Sequence, residues 1–391
     1  MICGAGVLPA RMAGEARRHG WRVVAFTFGE APGVTDHADR TIPARLNEAG
    51  AVLAALQHER IGAVVFSGKF WMKDLLQERR PDAALAEMKA AAGALVDANI
   101  VQVVATTLGR MGIELLDQRK FLGDWLGRSG CWSSCAPTDA EWTDVRRGLT
   151  VARLAADAGV GQTVVVKLGA VTAVEATEGT TETIRRGLAQ AGPGAVVFSG
   201  KFWMKDLLQE RPDAALAEMK VRAGALVDAN IVQVVAMTLS RLGIELLDQR
   251  PFLGDWLSRS GCWSSRAPTD AEWTDVRRGL AVARLVADAA VGQTVVVKLG
   301  AVTAVEATEG TTETIRRGLA QADPGAVVVK AAAREHDYRF DTPGVGPETI
   351  EVAAAGGATV VAVEAERVLV LDRAECLRIA DRAGMALVGV E

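Results

Sequence analysis

The apolar positions change period along the chain, and the changes mark out its elements. Residues 1–9 read as the end of a strand, a glycine turn (Gly4-Ala-Gly6) and a helix start, since glycine lets the backbone turn tightly. The helical pattern runs over 10–19 and a β-rich run follows at 21–28, so the chain opens β-turn-α-β. A second helix, 46–59, leads into a strand at 63–66 and the loop Ser67-Gly68-Lys69. Trp71, Leu75 and Leu76 continue an apolar helical face, 83–111 is helical in pattern up to Gly112, and 113–116 is a further short strand. This alternation predicts an α/β domain on a Rossmann-like parallel sheet over residues 1–131.

A polar linker carrying Gly and Pro follows at 129–137. Thr138-x-x-Glu141 is a capping box, in which a threonine hydroxyl and a glutamate three residues on satisfy each other's backbone amides. It opens a helix to about residue 158, and its twin Thr269-x-x-Glu272 opens another. A hairpin is expected at 294–298 and 301–307 about the turn Leu299-Gly300. Side chains alternate faces on such a strand, so Glu306 either meets solvent or points into a polar site. Glu309-Gly310-Thr311 turns the chain into a helix over 312–322. A strand at 326–330, an irregular segment at 334–346 and a helix at 347–355 follow, the last bracketed by Pro347 and Gly356. A second hairpin (359–363 with 367–371), a helix capped by Asp372 and ended by Gly384, and a last strand complete the chain. No regular βαβ alternation shows in this half, which is therefore predicted to be α+β.

The pattern also repeats. Residues 62–193 and 194–324 open with the same eighteen residues, GAVVFSGKFWMKDLLQER. Apart from Arg80, 131 positions align with 12 differences. A period this long is no solenoid unit, which spans roughly 20–50 residues, and it reads as a tandem duplication. Gly325-Ala-Val-Val328 repeats the GAVV with which each copy opens, so one slip between such segments would insert a unit. Removing one leaves a 260-residue arrangement of head (1–61), unit and tail (324–391). The simplest assembly makes 1–131 the amino-terminal domain and 263–391 the carboxy-terminal domain, with 132–262 an orphan segment. Exposed strand edges would make such a segment prone to pairing. The alternative pairs the head with 194–262 and loops out the first copy.

Composition narrows the function classes. A hydrophobic content of 49% indicates a globular chain, and a net charge of −4 gives no electrostatic footprint for nucleic acid. No apolar run reaches the roughly 18 residues of a spanning helix, and no signal peptide opens the chain. The expectation is a cytoplasmic protein with room for peripheral contact at the inner face of a membrane. Association into a homo-oligomer stays open. Cys131 and Cys135 look like a ligand pair, but Arg266 replaces Cys135 in the second copy and no second Cys/His pair stands nearby. The four histidines are scattered, so a zinc site is not expected.

There is no G-x-S-x-G elbow, Walker loop or Cys/His nucleophile arrangement. What stands out is carboxylates in turns after strands: Glu306, Glu309, and Asp341 within Arg339-Phe-Asp-Thr-Pro-Gly-Val-Gly346. A Pro/Gly-dense turn holding an aspartate near Lys330 and Arg339 suits a hard cation and a phosphate, because such cations take carboxylate oxygens. The plainer reading is that Asp341 caps a turn. Gly4 and Gly6 would let the backbone approach a phosphate at a helix start, and Lys69 would reach an anion, although a loop lysine is commonly just solvated.

Five segments resemble the LpxI-type UDP-2,3-diacylglucosamine pyrophosphatases of lipid A biosynthesis. They are Cys3-Gly-Ala-Gly-Val-Leu-Pro9, Phe66-Ser-Gly-Lys69, Gly292-Gln-Thr-Val-Val-Val-Lys298, Val305-Glu-Ala-Thr-Glu-Gly-Thr311 and Phe340-Asp-Thr-Pro343. The resemblance covers essentially the whole 260-residue arrangement, and the last three segments are its specific part. It implies a two-domain enzyme binding a lipid-linked UDP-sugar between its domains. Mg²⁺ or another divalent cation would direct water onto the α-phosphate, releasing UMP and 2,3-diacylglucosamine 1-phosphate. The family's essential aspartate falls on Asp341, for metal or water positioning. Glu306, Glu309 and Thr311 fall on its Glu-x-x-Glu-Gly-Thr turn, to help hold metal or phosphate. Gly4, Gly6 and Lys69 fall on its amino-terminal loops, and Gln293, Lys330 and Pro343 are taken as further substrate contacts. Arg266 restores the family's Arg-x-Pro-Thr where the first copy has Cys135-Ala-Pro-Thr, favouring the second copy for the carboxy-terminal domain. Two other readings stand beside this one: a duplication product or nucleotide-binding module without turnover, and a dinucleotide-dependent oxidoreductase on the Gly4 turn with Glu30 as ribose ligand.

Overall fold

The computed structural model describes residues 1–70, 75, 80–92, 97–126, 131–199, 247–339 and 342–391. It contains two compact units, Met1–Ala136 and Pro137–Glu391.

In the first unit β1 (Ile2–Cys3) lies parallel between β2 (Val24–Thr27) and β5 (Phe66–Ser67), and β3 (Arg40–Pro43) flanks β2. Just before β5, β4 (Ala63–Val64) pairs in parallel with β6 (Glu114–Leu115). One run, 63–67, thus changes neighbour part-way, and the four-stranded sheet has the order β3-β2-β1-β5. Helices α1 (Leu8–Arg18), α2 (Ala49–His58), α3 (Ala83–Ala92) and α4 (Asp97–Arg110) complete the unit. Cys3 and Ala25 pack into one cluster with Met12 and Ala16 of α1, while Ile2, Val24 and Phe26 pack into another with Leu56 and Leu108. A two-residue central strand holds because apolar side chains cover both faces. The expected helical face through Trp71 and Leu76 lies outside the described residues.

The second unit holds two modules of nearly identical sequence. The first runs α5 (Asp139–Asp157), β7 (Thr163–Lys167), β8 (Ala170–Val174), α6 (Thr180–Ala191) and β9 (Val196–Ser199). Its counterpart runs α7 (Asp270–Asp288), β11 (Thr294–Lys298), β12 (Ala301–Val305), α8 (Thr311–Ala322) and β13 (Val327–Lys330). Both capping boxes form, with Thr138 and Thr269 accepting from the Glu141 and Glu272 amides and the glutamates answering. The hairpin turn places Leu299 and Gly300 at φ 50° and 79°, the left-handed pair that a tight right-twisted hairpin requires.

Only the second module continues into a tail: β13, α9 (Pro347–Ala355), β15 (Val360–Glu364), α10 (Arg373–Arg382) and β17 (Ala386–Val390). With β10 (Gly261–Cys262) the sheet order is β10-β17-β15-β13-β11-β12, and β13, β15 and β17 are mutually parallel. Two expectations are corrected here. The tail does carry a βαβαβ alternation, masked in the sequence by the long irregular segment after β13. The hairpin of 359–363 with 367–371 does not form. Both edges of β15 are filled by its parallel neighbours, so β16 (Leu369–Val370) pairs with β14 (Gly344–Val345) instead.

The first module closes its sheet differently. Its third strand, β9, belongs to the GAVVFSGK that opens the second copy, and it lies antiparallel on β7 as β13 lies on β11. The same octapeptide in the first copy, residues 62–69, contributes parallel strands β4 and β5. One sequence thus serves two pairings, because what both sites demand is a short run of β-branched residues.

Candidate active site

The strand ends of the carboxy-terminal sheet bring the predicted carboxy-terminal residues together. Thr294 opens β11 opposite Lys330, which closes β13, and Val295 pairs with Val305 of β12. Glu306, Thr311 and Lys330 therefore meet at one end of the sheet, where α8 begins. Glu306 is 8% exposed and Lys330 6%. The carboxylate of Glu306 accepts from the Gln293 amide at 3.0 Å and from the Thr311 hydroxyl at 2.8 Å. The Lys330 ammonium donates to the same hydroxyl at 2.7 Å. Glu306 thus points into a polar site, and Thr311 is the hub of a lysine–threonine–glutamate cluster. The α8 amino terminus adds the positive end of a helix dipole, which favours an anion. Gly292 belongs to the same construction, since a Cβ there would lie 2.3 Å from the Glu306 carbonyl oxygen.

Among the described residues, the first module carries most of this cluster but not its cation. Glu175 accepts from the Gln162 amide at 3.0 Å and the Thr180 hydroxyl at 2.9 Å. Opposite Thr163, however, the register position of Lys330 is held by Ser199. Among the described residues, it is the second module, with its tail, that assembles lysine, threonine and glutamate.

Glu309 is placed otherwise. Its side chain is 2% exposed, and one oxygen meets the Arg186 and Arg317 guanidinium groups at 3.0 and 2.7 Å. The other oxygen accepts from the Ala307 amide at 3.1 Å, bracing the turn between Glu306 and Thr311.

Asp341 lies outside the described residues, but the chain on either side is fixed. After Lys330, the Ala332 amide donates to the buried Glu364 carboxylate at 2.9 Å. Tyr338 is buried, its ring lies beneath the Arg250 guanidinium at 4.1 Å, and its carbonyl accepts from the Gln249 amide. Burial pushes the Tyr338 phenol above its ordinary value. The Thr342 hydroxyl meets Gln249 at 3.2 Å, and the carbonyl of buried Pro343 accepts from Leu369 at 2.7 Å. Arg339 is turned onto Asp337 at 2.6 Å. The pinning partners Gln249, Arg250 and Glu364 were not singled out in the sequence. Only the position of Glu364 at a parallel strand's carboxyl end offered a signal.

In the first unit the two glycine-bearing loops zip together. The amides of Gly4, Ala5 and Gly6 donate to the carbonyls of Ser67, Lys69 and Glu30, and the Lys69 amide returns to Ala5. A Cβ on Gly4 would lie 2.4 Å from the Lys69 carbonyl oxygen, so the close approach that this glycine permits is to the neighbouring loop. Gly6 has φ 104°, and the Lys69 side chain is on the exposed surface. Among the described residues no group of three or more His, Cys, Asp or Glu side chains is arranged to hold a metal ion. Both oxygens of Glu306 and of Glu309 accept hydrogen bonds that fix how each carboxylate is turned.

The family models decide the kinship. The model of the LpxI amino-terminal domain matches residues 1–125, and that of the LpxI carboxy-terminal domain matches 128–206 and 259–388. The chain belongs to the LpxI family. It is 30% identical over 221 residues to the UDP-2,3-diacylglucosamine pyrophosphatase LpxI of Caulobacter vibrioides, covering 53% of this chain and 78% of the relative. The carboxy-terminal match embraces both modules and the tail, while the head falls within the amino-terminal match. No helix among the described residues is long and apolar enough to cross a membrane.

Proposed function

We propose that this chain hydrolyses the phosphoric anhydride of UDP-2,3-diacylglucosamine, water attacking the α-phosphorus to give UMP and 2,3-diacylglucosamine 1-phosphate, a step of lipid A biosynthesis. A new oxygen–phosphorus bond forms from water, the bridging bond breaks, and the sugar phosphate leaves with the bridging oxygen. The observation that carries this reading is the buried Lys330–Thr311–Glu306 cluster at the α8 amino terminus, in a chain of this family. Lysine charge, a hydroxyl and helix-terminal amides together suit a phosphate. Glu306 fixes the Thr311 hydroxyl, and the Gln293 backbone holds Glu306 in turn.

In this reading Asp341 positions the attacking water or holds a divalent cation, Mg²⁺ for preference, since that ion takes one or two carboxylates together with substrate phosphates. When bound, such an ion lowers the pKa of attached water and offsets phosphate charge. Glu309 supports the turn through its arginines, and Pro343 sets the backbone after Asp341. Gly4, Gly6 and Lys69 shape the amino-terminal loops for nucleotide or sugar contacts. Residues 1–131 and 263–391 supply the working domains, a reading supported by the pairing of head with first copy and of tail with second.

The test is UMP release by the purified full-length chain with substrate and Mg²⁺. Asp341→Ala is expected to abolish release while leaving the thermal melt unchanged, and EDTA to suppress it reversibly. Undiminished turnover by the folded variant contradicts the assignment.

A further inference from the structure

The two modules of the second unit contact each other reciprocally. Arg186 of the first module bonds Glu309 of the second at 3.0 Å, and Arg317 of the second bonds Glu178 of the first at 3.2 Å. Each arginine also reaches the glutamate of its own module, at 2.9 Å for Arg186–Glu178 and 2.7 Å for Arg317–Glu309. A second pair repeats the exchange. Arg147 donates to the carbonyl of Ala289, and Arg278 to that of Ala158. Ala158 and Ala289 terminate the equivalent helices α5 and α7, so each arginine meets a helix carboxyl end, where the dipole favours a cation. The partners correspond one to one between the aligned copies, and none of these eight residues is among the 12 differences. Between the charged pairs one apolar cluster runs through both modules, from Val164, Val166 and Val174 to Val295, Val297 and Val305.

A contact in which residue i meets j′ while j meets i′ is the signature of a two-fold isologous interface. The first module is not a random cover for the second: it presents the same patch, self-complementary in charge. We propose that this is a self-pairing face of the LpxI-like carboxy-terminal module, suited to a second copy of itself, and that here the first module occupies it within the same chain. The duplicated segment then acts as a tethered partner subunit. Because Arg186 reaches Glu309, the tethered partner also braces the turn that carries Glu306 and Thr311. The inference rests on the module contacts alone and does not depend on the reaction.

The experiment uses the full-length chain in light scattering coupled to size-exclusion chromatography. The unaltered chain is expected to run as a monomer, its pairing face already filled. Arg147→Glu with Arg186→Glu expels the first module and frees the face on the second, so this variant is expected to dimerise. Adding Arg278→Glu and Arg317→Glu spoils the freed face and is expected to return the chain to monomer. A double variant that stays monomeric with native circular dichroism and an unshifted melt overturns the proposal. A second measurement covers the case in which the double variant precipitates. Arg186→Glu with Arg317→Glu is expected to lower the melting temperature, and the further reversals Glu178→Arg and Glu309→Arg to restore most of it. No recovery on completing the swap overturns the reciprocal contact.

Discussion

Gly159 and Ala290 hold the same position in the two modules, just past the long helix, with φ 61° and φ 50°. Only glycine adopts that conformation without strain. A Cβ there costs roughly 1–2 kcal/mol, partly offset because glycine loses more chain entropy on folding. Ala290→Gly is therefore expected to stabilise the chain by roughly 0.5–1 kcal/mol in urea unfolding, and Gly159→Ala to destabilise it by a similar amount. Other differences between the copies favour the second copy beside the tail. Ser258, which aligns with Gly127, donates to the Glu364 carbonyl, and Arg266, which aligns with Cys135, donates to the Thr359 carbonyl and to both Glu272 carboxylate oxygens. Arg266→Cys is expected to cost roughly 1–2 kcal/mol, since bonds to charged groups are worth more than neutral ones. Burial pushes the Glu272 carboxyl up, but the Thr359 hydroxyl, the Thr269 amide and hydroxyl and the Arg266 guanidinium outweigh that and hold it down to about 2. A carboxyl lowered in the folded state contributes stability that is complete above its ordinary value of 4.5 and is lost as pH falls towards about 2. Over that window unfolding free energy is expected to fall less steeply in Glu272→Gln than in the unaltered chain.

At the scale of elements, identical sequence meets different neighbours. Helices α6 and α8 share all twelve residues, yet Leu188 is 40% exposed where Leu319 is 4% exposed. The tail helix α9 makes the difference, for a Cβ on its closing Gly356 would lie 2.4 Å from Leu319. Leu319→Ala is expected to cost about 2–4 kcal/mol and Leu188→Ala less than about 1 kcal/mol, a contrast that paired thermal melts measure directly. The same logic explains what the sequence showed and hid. Capping boxes, the Leu299-Gly300 turn and the parallel amino-terminal sheet were legible, because local chemistry or period specifies them. The partner of β16 was not, since a short apolar strand carries no record of which edge is free. Nor were the two uses of GAVVFSGK, which depend on whichever strand lies beside it. In the site, Glu306, Thr311 and Lys330 were readable as residues, but the bonds that make Thr311 their hub depend on three strand ends meeting. Glu309 was read as a phosphate or metal residue from its motif, while its arginine partners come from contacts far apart in sequence.

For the molecule as a whole, the first module is an integral part of the second unit. The first module finds a third strand in the next copy's opening segment and a cover in the second module. Among the described residues it has no counterpart of the tail, nor of the lysine that completes the Lys330–Thr311–Glu306 cluster. The central claim is thus that one module works and the other supports it. Thr311→Val and Thr180→Val remove equivalent hydroxyls from equivalent helices, so each controls for the other's effect on folding. The decisive measurement is UMP release from UDP-2,3-diacylglucosamine by these two variants beside the unaltered chain. Thr311→Val is expected to lower kcat/KM by roughly a hundredfold, because Lys330 and Glu306 lose the hydroxyl that joins and orients them, and Thr180→Val to leave it within about twofold. Equal losses in both, or loss in Thr180→Val alone, would contradict the account.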